Sequence, residues 1–377
     1  MSLQPIREEI DKIDEQLSQL FTKRMECSRK VAEYKREHGM PIFNREREEA
    51  VLNAVEEKAG IYGGSARQLY AMIMELSRGL QHDIVESGTK LRNEIYAAEK
   101  TVPAKEPVRA ACFGVPGTYA NQAAVKAFPN SRLSFCASFQ DVFSAIRNGE
   151  AEFGIVPIEN SSAGSVTDVY DLMLKYRFYI AMAIDIPVNH VLAVRKKCSI
   201  SELEKIYSHP QALSQCSDFF RSRRNITAES YISTAAAAKM VSESENMTIG
   251  AICSEQAAEE YGLEIILRGF QNNPNNTTRF IIISKKLYIE KNADKISLCF
   301  SLPHQTGSLY SILCRFAVNG LNLTKIESRP MAGTSFEYLF YLDFTGNVFD
   351  KNTLKLLCAL SDELQEFSFL GNFREIG

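Results

Sequence analysis

The segment Asn273-Pro274-Asn275-Asn276-Thr277-Thr278-Arg279-Phe280 runs directly into Ile281-Ile282-Ile283. The first part is polar, whereas the apolar and β-branched run after it is typical of a buried strand. Two hydroxyls and a guanidinium therefore lie where a loop meets a strand. Open α/β sheets bind their ligands at such strand ends, so the stretch predicts an α/β region with a small-molecule site.

The composition of the chain excludes several classes of function. The 377 residues are enough for two or three domains, and 45% hydrophobic with 24% charged residues is ordinary for a globular protein. A formal net charge of -3 gives no general attraction to nucleic acid or to a membrane surface, and no apolar run approaches the length of a membrane span. We therefore expect neither nucleic acid nor a membrane as a partner.

Two further features of the sequence predict a cytoplasmic protein. Residues 1–11 lack the apolar core of a signal peptide. Nine cysteines are scattered along the chain without a Cys-x-x-Cys pair. This distribution is typical of reduced thiols rather than of a disulfide framework or a zinc site, so we expect no metal.

Residues 1–100 are predicted to form an all-α region. Apolar side chains recur every seven residues along the first helix, which ends at Gly39 and Pro41. That helix would have about 37 residues and a length of about 55 Å, which is too long for a small compact unit to cover. A second copy of the chain would bury the apolar row, so we expect a homo-oligomer, a dimer or larger. Further helices are predicted near 44–59 and 64–98.

Residues 108–286 are predicted to form an α/β region of two lobes around a cleft. A short linker at 101–107 precedes it, and strands then alternate with helices. Strands are predicted near Arg109–Phe113, Phe153–Pro157, Phe178–Ile186, His190–Arg195, Ile206–Tyr207, Thr248–Ile252 and Phe280–Ile283.

Residues 294–377 are predicted to form an α+β region. Strands are expected near 295–302, 323–328, 336–344 and 367–370, with helices near 308–319 and 352–364. The resulting order βαββαβ is the ferredoxin-like arrangement.

Charged and polar side chains interrupt the apolar rows of the helical region. Arg24 occupies a position of the heptad row between Leu17 and Val31, and Lys35 lies only about 20° around the helix from Arg24. On the third helix, Ser77 and then Gln81 continue an apolar stripe at four-residue steps. Buried cations are costly unless they are paired. The pattern therefore indicates either an internal salt bridge, for example with Glu48, or an anionic ligand.

Polar loops recur at the carboxyl ends of the predicted α/β strands. They hold hydroxyls, amides and one arginine, and none matches a dinucleotide fingerprint or a Walker lysine. Such a cleft suits a polar, anionic small molecule. Structural explanations remain open for several of these residues, because Ser161 can cap a helix and His209 lies beside a proline. A protein that only senses a ligand in this cleft is the alternative to an enzyme.

Nearly the whole chain resembles bifunctional chorismate mutase–prephenate dehydratases. The helical region resembles the all-helical chorismate mutases, which implies catalytic roles for Lys35, Gln81 and Glu48. In that family, arginines hold the carboxylates of chorismate, and the lysine and glutamine hydrogen-bond the ether oxygen. The resemblance implies that the substrate-binding residues are Arg7, Arg24, Lys35, Asn44, Arg47, Glu48, Ser77 and Gln81.

Two positions qualify this resemblance. Arg7 lies about 100° around the helix from Arg24, so it is expected to serve the site of a partner chain. Asn44 stands where the family usually has aspartate. An asparagine can still hydrogen-bond a hydroxyl, and we expect activity. The alternative is that the helical region only mediates dimerisation.

The α/β region resembles the prephenate dehydratases, with five motifs in the family's order. The resemblance implies that Thr278 is the general acid, that Arg279 anchors a carboxylate, and that no cofactor takes part. Ala120-Asn121 stands where many members have Ser-His, and the Gly-Val-Pro-Gly loop also occurs in relatives that act on arogenate, so the choice between prephenate and arogenate stays open. The implied substrate-binding residues are Thr118, Tyr119, Asn160, Ser161, Ser208, Gln215, Thr277, Arg279 and Phe280.

Residues 294–377 resemble an ACT domain, a module that binds amino acids. The resemblance rests on Thr306-Gly307-Ser308-Leu309 and Glu327-Ser328-Arg329-Pro330, and it implies phenylalanine as an allosteric effector bound by Gly307, Ser308, Leu309, Glu327, Ser328 and Arg329. A plain turn at Gly307 and a surface ion pair between Glu327 and Arg329 are the structural alternatives.

Overall fold

The chain divides into two compact units. The computed structural model describes residues 3–305, 307–330 and 338–376. One unit comprises residues 1–97 with 296–369, and the other comprises residues 98–295 with 370–377.

The first unit begins with four helices, which are α1 (Gln4–His38), α2 (Arg45–Lys58), α3 (Gly63–Val85) and α4 (Thr89–Ala97). The left-handed backbone of Gly39, with a φ of 61°, ends α1 as predicted. The single helix predicted near 64–98 is wrong. The chain leaves the helical path at Glu86 and Gly88, whose φ angles are 55° and 69°, and α4 starts after this turn.

Helix α1 keeps most of its apolar row outside the packing of this unit. Both α1 and α2 pack against α3. Ala32 of α1 is buried, whereas Ile6, Ile10, Ile13 and Leu17 are each about half exposed. Burial of this row against a second copy of the chain stays a prediction.

The second unit alternates strands and helices around two sheets, as the predicted two-lobed α/β region requires. Its strands are β1 (Arg109–Phe113), β2 (Arg132–Cys136), β3 (Phe153–Asn160), β4 (Gly164–Ser165), β5 (Tyr179–Pro187), β6 (His190–Val194), β7 (Lys205–Ser208), β8 (Thr227–Ser230), β9 (Ile249–Ser254), β10 (Glu264–Arg268) and β11 (Thr277–Ser284). Its helices are α5 (Tyr119–Ala127), α6 (Phe139–Asn148), α7 (Thr167–Tyr176), α8 (Pro210–Gln215), α9 (Ser217–Arg221), α10 (Thr234–Glu243) and α11 (Glu255–Glu260).

The isoleucine run quoted above forms the centre of the first sheet. Strand β11 lies antiparallel between β3 and β5, and Ile282 and Ile283 are fully buried. Beyond β3 the sheet continues through β1 to β2. The second sheet has the order β10-β6-β9-β7-β8. Three of the strands that were not predicted, β2, β8 and β10, each lie at an edge of a sheet.

The C-terminal segment has the predicted order βαββαβ. Its elements are β12 (Lys295–Ser301), α12 (Ser308–Val318), β13 (Leu323–Pro330), β14 (Tyr338–Thr345), α13 (Lys351–Glu363) and β15 (Ser368–Phe373), and its sheet has the order β13-β14-β12-β15. A last short strand, β16 (Glu375–Ile376), pairs with β5 in the second unit. Thr306 of the quoted motif and Phe336 of the strand predicted near 336–344 lie outside the described residues.

Candidate active sites

Four polar residues that interrupt the apolar rows of α1 and α3 meet in the first unit. The Nη1 atom of Arg24 donates a hydrogen bond of 2.6 Å to Oγ of Ser77. One turn further along α3, Nζ of Lys35 donates to Oε1 of Gln81 at 3.2 Å. Lys35 also donates to the carbonyl oxygen of Ile42 at 2.5 Å. The spacing in the sequence thus brings two cations and two neutral polar groups together on facing helices.

Glu48 of α2 adds a negative charge near this group. Burial lowers the pKa of Lys35, and the charge of Glu48 opposes that shift. Glu48 itself forms an ion pair with Arg78 of α3. Arg78 also lies over the ring of Phe43, with its guanidinium carbon 5.2 Å from the ring centroid. Sequence reasoning missed Arg78, because a single arginine on a helix carries no signal of its buried partners.

The other three implied mutase residues have different settings. Asn44 caps α2, since its side-chain oxygen accepts from the backbone N–H of Arg47 at 2.9 Å. The Arg47 side chain is exposed. Arg7 is exposed near the start of α1, about 25 Å along the helix axis from Arg24 at 1.5 Å per residue. One chain therefore does not bring Arg7 to the cluster of Arg24 and Lys35.

Residues from the polar loops of both sheets line a cavity of about 440 Å³ in the second unit. Thr278 reaches it from β11, Asn160 from the end of β3, and Thr118 from the start of α5. Of the implied dehydratase residues, those that line the cavity are Thr118, Tyr119, Asn160, Gln215, Thr278 and Phe280.

Asn160 fixes the hydroxyl of Thr278. Its Nδ2 atom donates to Oγ1 of Thr278 at 2.9 Å and to Oδ1 of Asn276 at 2.9 Å. The amide has only this orientation, because its oxygen accepts from the backbone N–H groups of Ser162 and Ala163 at 3.0 Å. Since Oγ1 of Thr278 already accepts a hydrogen bond, its own proton is directed elsewhere and can be donated to a molecule in the cavity.

A histidine that the sequence analysis did not select also lines the cavity. His190 is 3% exposed, its Nε2 lies 2.9 Å from Oε1 of Gln215, and its Nδ1 lies 3.2 Å from the hydroxyl of Tyr119. Because an amide oxygen can only accept, Nε2 carries the proton of the neutral ring. Burial lowers the pKa of His190. The feature of the sequence that could have identified His190 is its position as the first residue of strand β6, directly after the loop from β5.

Four implied dehydratase residues do not line the cavity. Ser208 is buried and donates to the carbonyl oxygen of Ile252 at 2.6 Å, so its hydroxyl is used within the sheet. Ser161 accepts from the backbone N–H of Thr277 at 2.9 Å, and this bond holds the loop that precedes Thr278. Ser161 and Thr277 therefore support the cavity wall rather than face the cavity.

The expected role of Arg279 as a carboxylate anchor is not supported by its geometry. Neighbouring residues of a strand point to opposite faces, and Thr278 faces the cavity. Arg279 instead binds Asp185 through Nε and Nη2 at 2.8 and 2.9 Å, and Nη1 lies 2.8 Å from a carboxylate oxygen of Glu375. Its guanidinium is thus already engaged by two carboxylates.

Two other polar residues of the cavity have structural roles. Ser233 caps the alanine-rich helix α10 by accepting from the backbone N–H of Ala236 at 3.1 Å. His209 caps α8, since its Nδ1 accepts from the backbone N–H of Gln211 at 3.3 Å. This contact supports the structural interpretation of His209.

The implied effector residues lie on two elements of the C-terminal segment. Gly307 precedes α12 with a φ of 87°, so the turn itself requires a glycine there. Ser308 and Leu309 are the first residues of α12, and Glu327, Ser328 and Arg329 belong to β13. Nζ of Lys325 lies 3.6 Å from a carboxylate oxygen of Glu327.

The described residues form neither a metal cluster nor a membrane-spanning helix. Within residues 3–305, 307–330 and 338–376, no group of three or more His, Cys, Asp or Glu side chains is arranged to hold a metal ion. In the same part of the chain, no helix combines the length and apolar character needed to cross a membrane.

Known protein families match two regions of the chain. The family model for prephenate dehydratase matches residues 110–287, and that for chorismate mutase type II matches residues 6–82. The bifunctional chorismate mutase/prephenate dehydratase of Aquifex aeolicus is 32% identical over 98% of this chain and 97% of its own length. Arogenate dehydratase/prephenate dehydratase 1 of Arabidopsis thaliana is 36% identical over 73% of this chain and 72% of its own length.

A solved structure extends the comparison to the fold. The prephenate dehydratase of Arthrobacter aurescens, in complex with L-Phe, has a TM-score of 0.65 and 30% identity, covering 71% of this chain and 89% of its own. Family models therefore match both regions that hold a candidate site, and the match to the bifunctional relative spans almost the full length. The chain belongs to the family of bifunctional chorismate mutase/prephenate dehydratases.

Proposed function

We propose that this chain converts chorismate to prephenate in its helical region and prephenate to phenylpyruvate in its α/β cavity. The observation that carries the proposal is the hydroxyl of Thr278, which Asn160 holds at the wall of a cavity with its proton free to be donated. Two sites in different regions of the chain account for two reactions of different chemistry.

The helical site suits a rearrangement that needs no nucleophile and no proton transfer. In chorismate the ether carbon–oxygen bond breaks while a carbon–carbon bond forms, and negative charge develops on the oxygen. Lys35 keeps a third N–H to donate to that oxygen, because its other two N–H groups donate to Ile42 and Gln81. The oxygen of Gln81 accepts from Lys35, which orients its NH₂ group as a second donor. Fixed donors of this kind stabilise a polarised transition state.

The remaining residues of the helical site have binding roles in the proposal. Arg24 and Arg47 bind carboxylates, Glu48 and Asn44 bind the ring hydroxyl, and Ser77 orients Arg24. Arg7 is assigned to the site of a second chain, because it lies too far along α1 to reach the Arg24 of its own. The exposed apolar row of α1 supports this assignment, since a second copy would cover it.

The cavity suits loss of carbon dioxide and of a hydroxyl from prephenate. Thr278 donates its proton to the departing hydroxyl, which leaves as water, while the carboxylate leaves as carbon dioxide and its bonding electrons aromatise the ring. The N–H that Asn160 donates stabilises the negative charge that develops on Oγ1 of Thr278. A threonine hydroxyl is a weak acid, and aromatisation supplies most of the driving force. Thr118, Tyr119 and Gln215 orient the substrate, and arogenate is the alternative substrate.

Further parts of the proposal concern organisation and control. The domains are residues 1–100 for the mutase, 108–286 for the dehydratase and 294–377 for an ACT domain. The βαββαβ order of that last segment, and the bound L-Phe of the Arthrobacter relative, support phenylalanine as the effector. Feedback inhibition by phenylalanine acts through a state with a closed dehydratase cleft. In this proposal the protein acts in the cytoplasm.

One incubation tests the proposed reactions. The purified chain is mixed with chorismate alone, and chorismate, prephenate and phenylpyruvate are measured together over time. The proposal expects loss of chorismate, transient prephenate and gain of phenylpyruvate. Prephenate that accumulates without phenylpyruvate contradicts the dehydratase assignment or its substrate. Chorismate that stays unchanged, while added prephenate is converted, contradicts the mutase assignment and favours a helical region that only dimerises.

A further inference from the structure

A buried group of charges joins α3 to α12 and α13 in the first unit. Glu75, Arg78 and His82 project from α3, Arg315 from α12 and Glu363 from α13. The side chains of all five are between 5% and 10% exposed. Charged side chains with so little access to water are costly unless each has a partner of opposite charge. Their mutual contacts are therefore needed for the stability of this unit.

The charges alternate in sign along a continuous path. Arg315 binds Glu75 and Glu363, and its Nη2 lies 2.5 Å from Oε2 of Glu363. Arg78 binds Glu75, and its Nε lies 3.9 Å from Glu363. His82 hydrogen-bonds Glu363. The C-terminal helices thus act on two carboxylates beside Arg78, because α13 supplies Glu363 and Arg315 of α12 binds Glu75.

The path ends at a residue of the helical site. The other arm of the Arg78 fork binds Glu48, the carboxylate whose charge acts on Lys35. A glutamate side chain has several rotatable bonds, and an exposed one samples many orientations. A guanidinium that is itself held by buried partners restricts Glu48 to a few of them. Preorganisation of this kind is what a binding residue requires from its support.

We propose that Arg78 is a positioning residue of the mutase site, and that Glu363 and Arg315 of the C-terminal helices hold Arg78 in place. The inference rests on the proposed mutase function. It means that the C-terminal segment supports the mutase site through a direct chain of contacts that starts on α13 and α12 and ends at Glu48.

The first test compares substitutions within and outside this path. Arg78→Gln and Glu363→Gln are assayed for both reactions, with Lys355→Met as the matched control. Lys355 of α13 also pairs with α3, where it donates to Asp83 at 2.5 Å, but that pair is about one third exposed and does not lead to Glu48. We expect Arg78→Gln to lower the mutase kcat by about 10- to 100-fold, with a smaller loss for Glu363→Gln, and no loss of dehydratase rate. Lys355→Met should match the wild type.

A double-mutant cycle separates positioning from a structural role. If Arg78 acts through Glu48, then Arg78→Gln in a Glu48→Gln background lowers kcat far less than it does alone. Losses that multiply instead would overturn the inference, and so would an Arg78→Gln rate equal to that of Lys355→Met. Arg78→Lys, which keeps the charge but not the fork, is expected to recover part of the rate. It replaces Arg78→Gln in both tests if thermal unfolding shows that the glutamine variant does not fold.

The outcomes distinguish this inference from the function on which it rests. A wild-type chain that leaves chorismate unchanged removes the mutase function itself. A wild-type chain that converts chorismate, with variants of Arg78 and Glu363 that do so equally well, removes only the positioning role.

Discussion

The helical site and the α/β cavity differ in how they use charge. Arg24, Lys35 and Glu48 lie within the helical site, where burial lowers the pKa of Lys35. The cavity wall presents hydroxyls, amides and imidazoles, among them Thr278 and His190. Arg279 follows Thr278 in the sequence, yet two carboxylates engage it away from the cavity. A rearrangement with a polarised transition state needs fixed charges, whereas a dehydration needs a proton donor that its neighbours keep in position.

Removal of the Thr278 hydroxyl should separate the two sites most strongly. Thr278→Val keeps the shape of the side chain and deletes the proposed proton donor. General acid catalysis contributes about 10²- to 10⁴-fold, so we expect a loss of that size in the dehydratase kcat and no change in the mutase rate. Steady-state rates with prephenate and with chorismate measure both. Thr227→Val, an exposed threonine on strand β8 of the same unit, is the control and should leave both rates unchanged.

The corresponding substitution in the helical site removes a charge. Lys35→Met is expected to lower the mutase kcat by about 10²- to 10³-fold, the usual cost of losing one preorganised donor, with no change in the dehydratase rate. Lys30→Met, on the exposed side of α1, is the control. A loss of dehydratase rate in Lys35→Met would show that the two sites are not separate.

The pH profile of the wild-type mutase reaction tests the charge of Lys35 without a substitution. In the proposed mechanism the protonated form of Lys35 is the donor, so the mutase rate should be highest below the pKa of Lys35 and should fall as the pH rises through it. Because burial lowers that pKa from 10.5, the fall should begin at a lower pH than for an exposed lysine. Lys35→Arg should shift the fall to higher pH, and a profile that Lys35→Arg leaves unmoved would assign the fall to another group.

Substitution of Arg279, the arginine beside Thr278, should change stability slightly and catalysis hardly at all. Arg279→Met removes the pairs with Asp185 and Glu375, whose side chains are about 30% exposed, and should lower the free energy of unfolding by about 1 kcal/mol. The dehydratase rate should stay close to that of the wild type. Urea unfolding measures the first and prephenate turnover the second. Arg221→Met, which removes an exposed pair with Asp218, is the stability control. A stable Arg279→Met protein without turnover would restore the role of carboxylate anchor.

The sequence predicted the buried elements of the fold better than its edges. The run Phe280–Ile283 is fully apolar, so it was recognised as the central strand β11. Strands β2 and β8 lie at sheet edges and hold mostly exposed or partly exposed residues, so they show no clear apolar pattern. The break between α3 and α4 was missed because Glu86 adopts a left-handed backbone that glutamate rarely favours.

The candidate sites show the same division. Regular spacing along a helix brought Arg24 and Lys35 to Ser77 and Gln81, and this was predictable. The settings of Arg78, His190 and Arg279 depend on partners from distant parts of the chain, such as Glu363 for Arg78, Gln215 for His190 and Glu375 for Arg279. Nothing in the local sequence indicates such partners.

The most direct test of two separate sites is a mixing experiment with chorismate as the starting compound. Thr278→Val should stop at prephenate, and Lys35→Met should leave chorismate unchanged while still converting added prephenate. Equal amounts of the two variants together should make phenylpyruvate from chorismate, because each supplies the reaction that the other lacks. If either variant loses both reactions, or if the mixture fails to make phenylpyruvate, the account of two independent sites of different chemistry is contradicted.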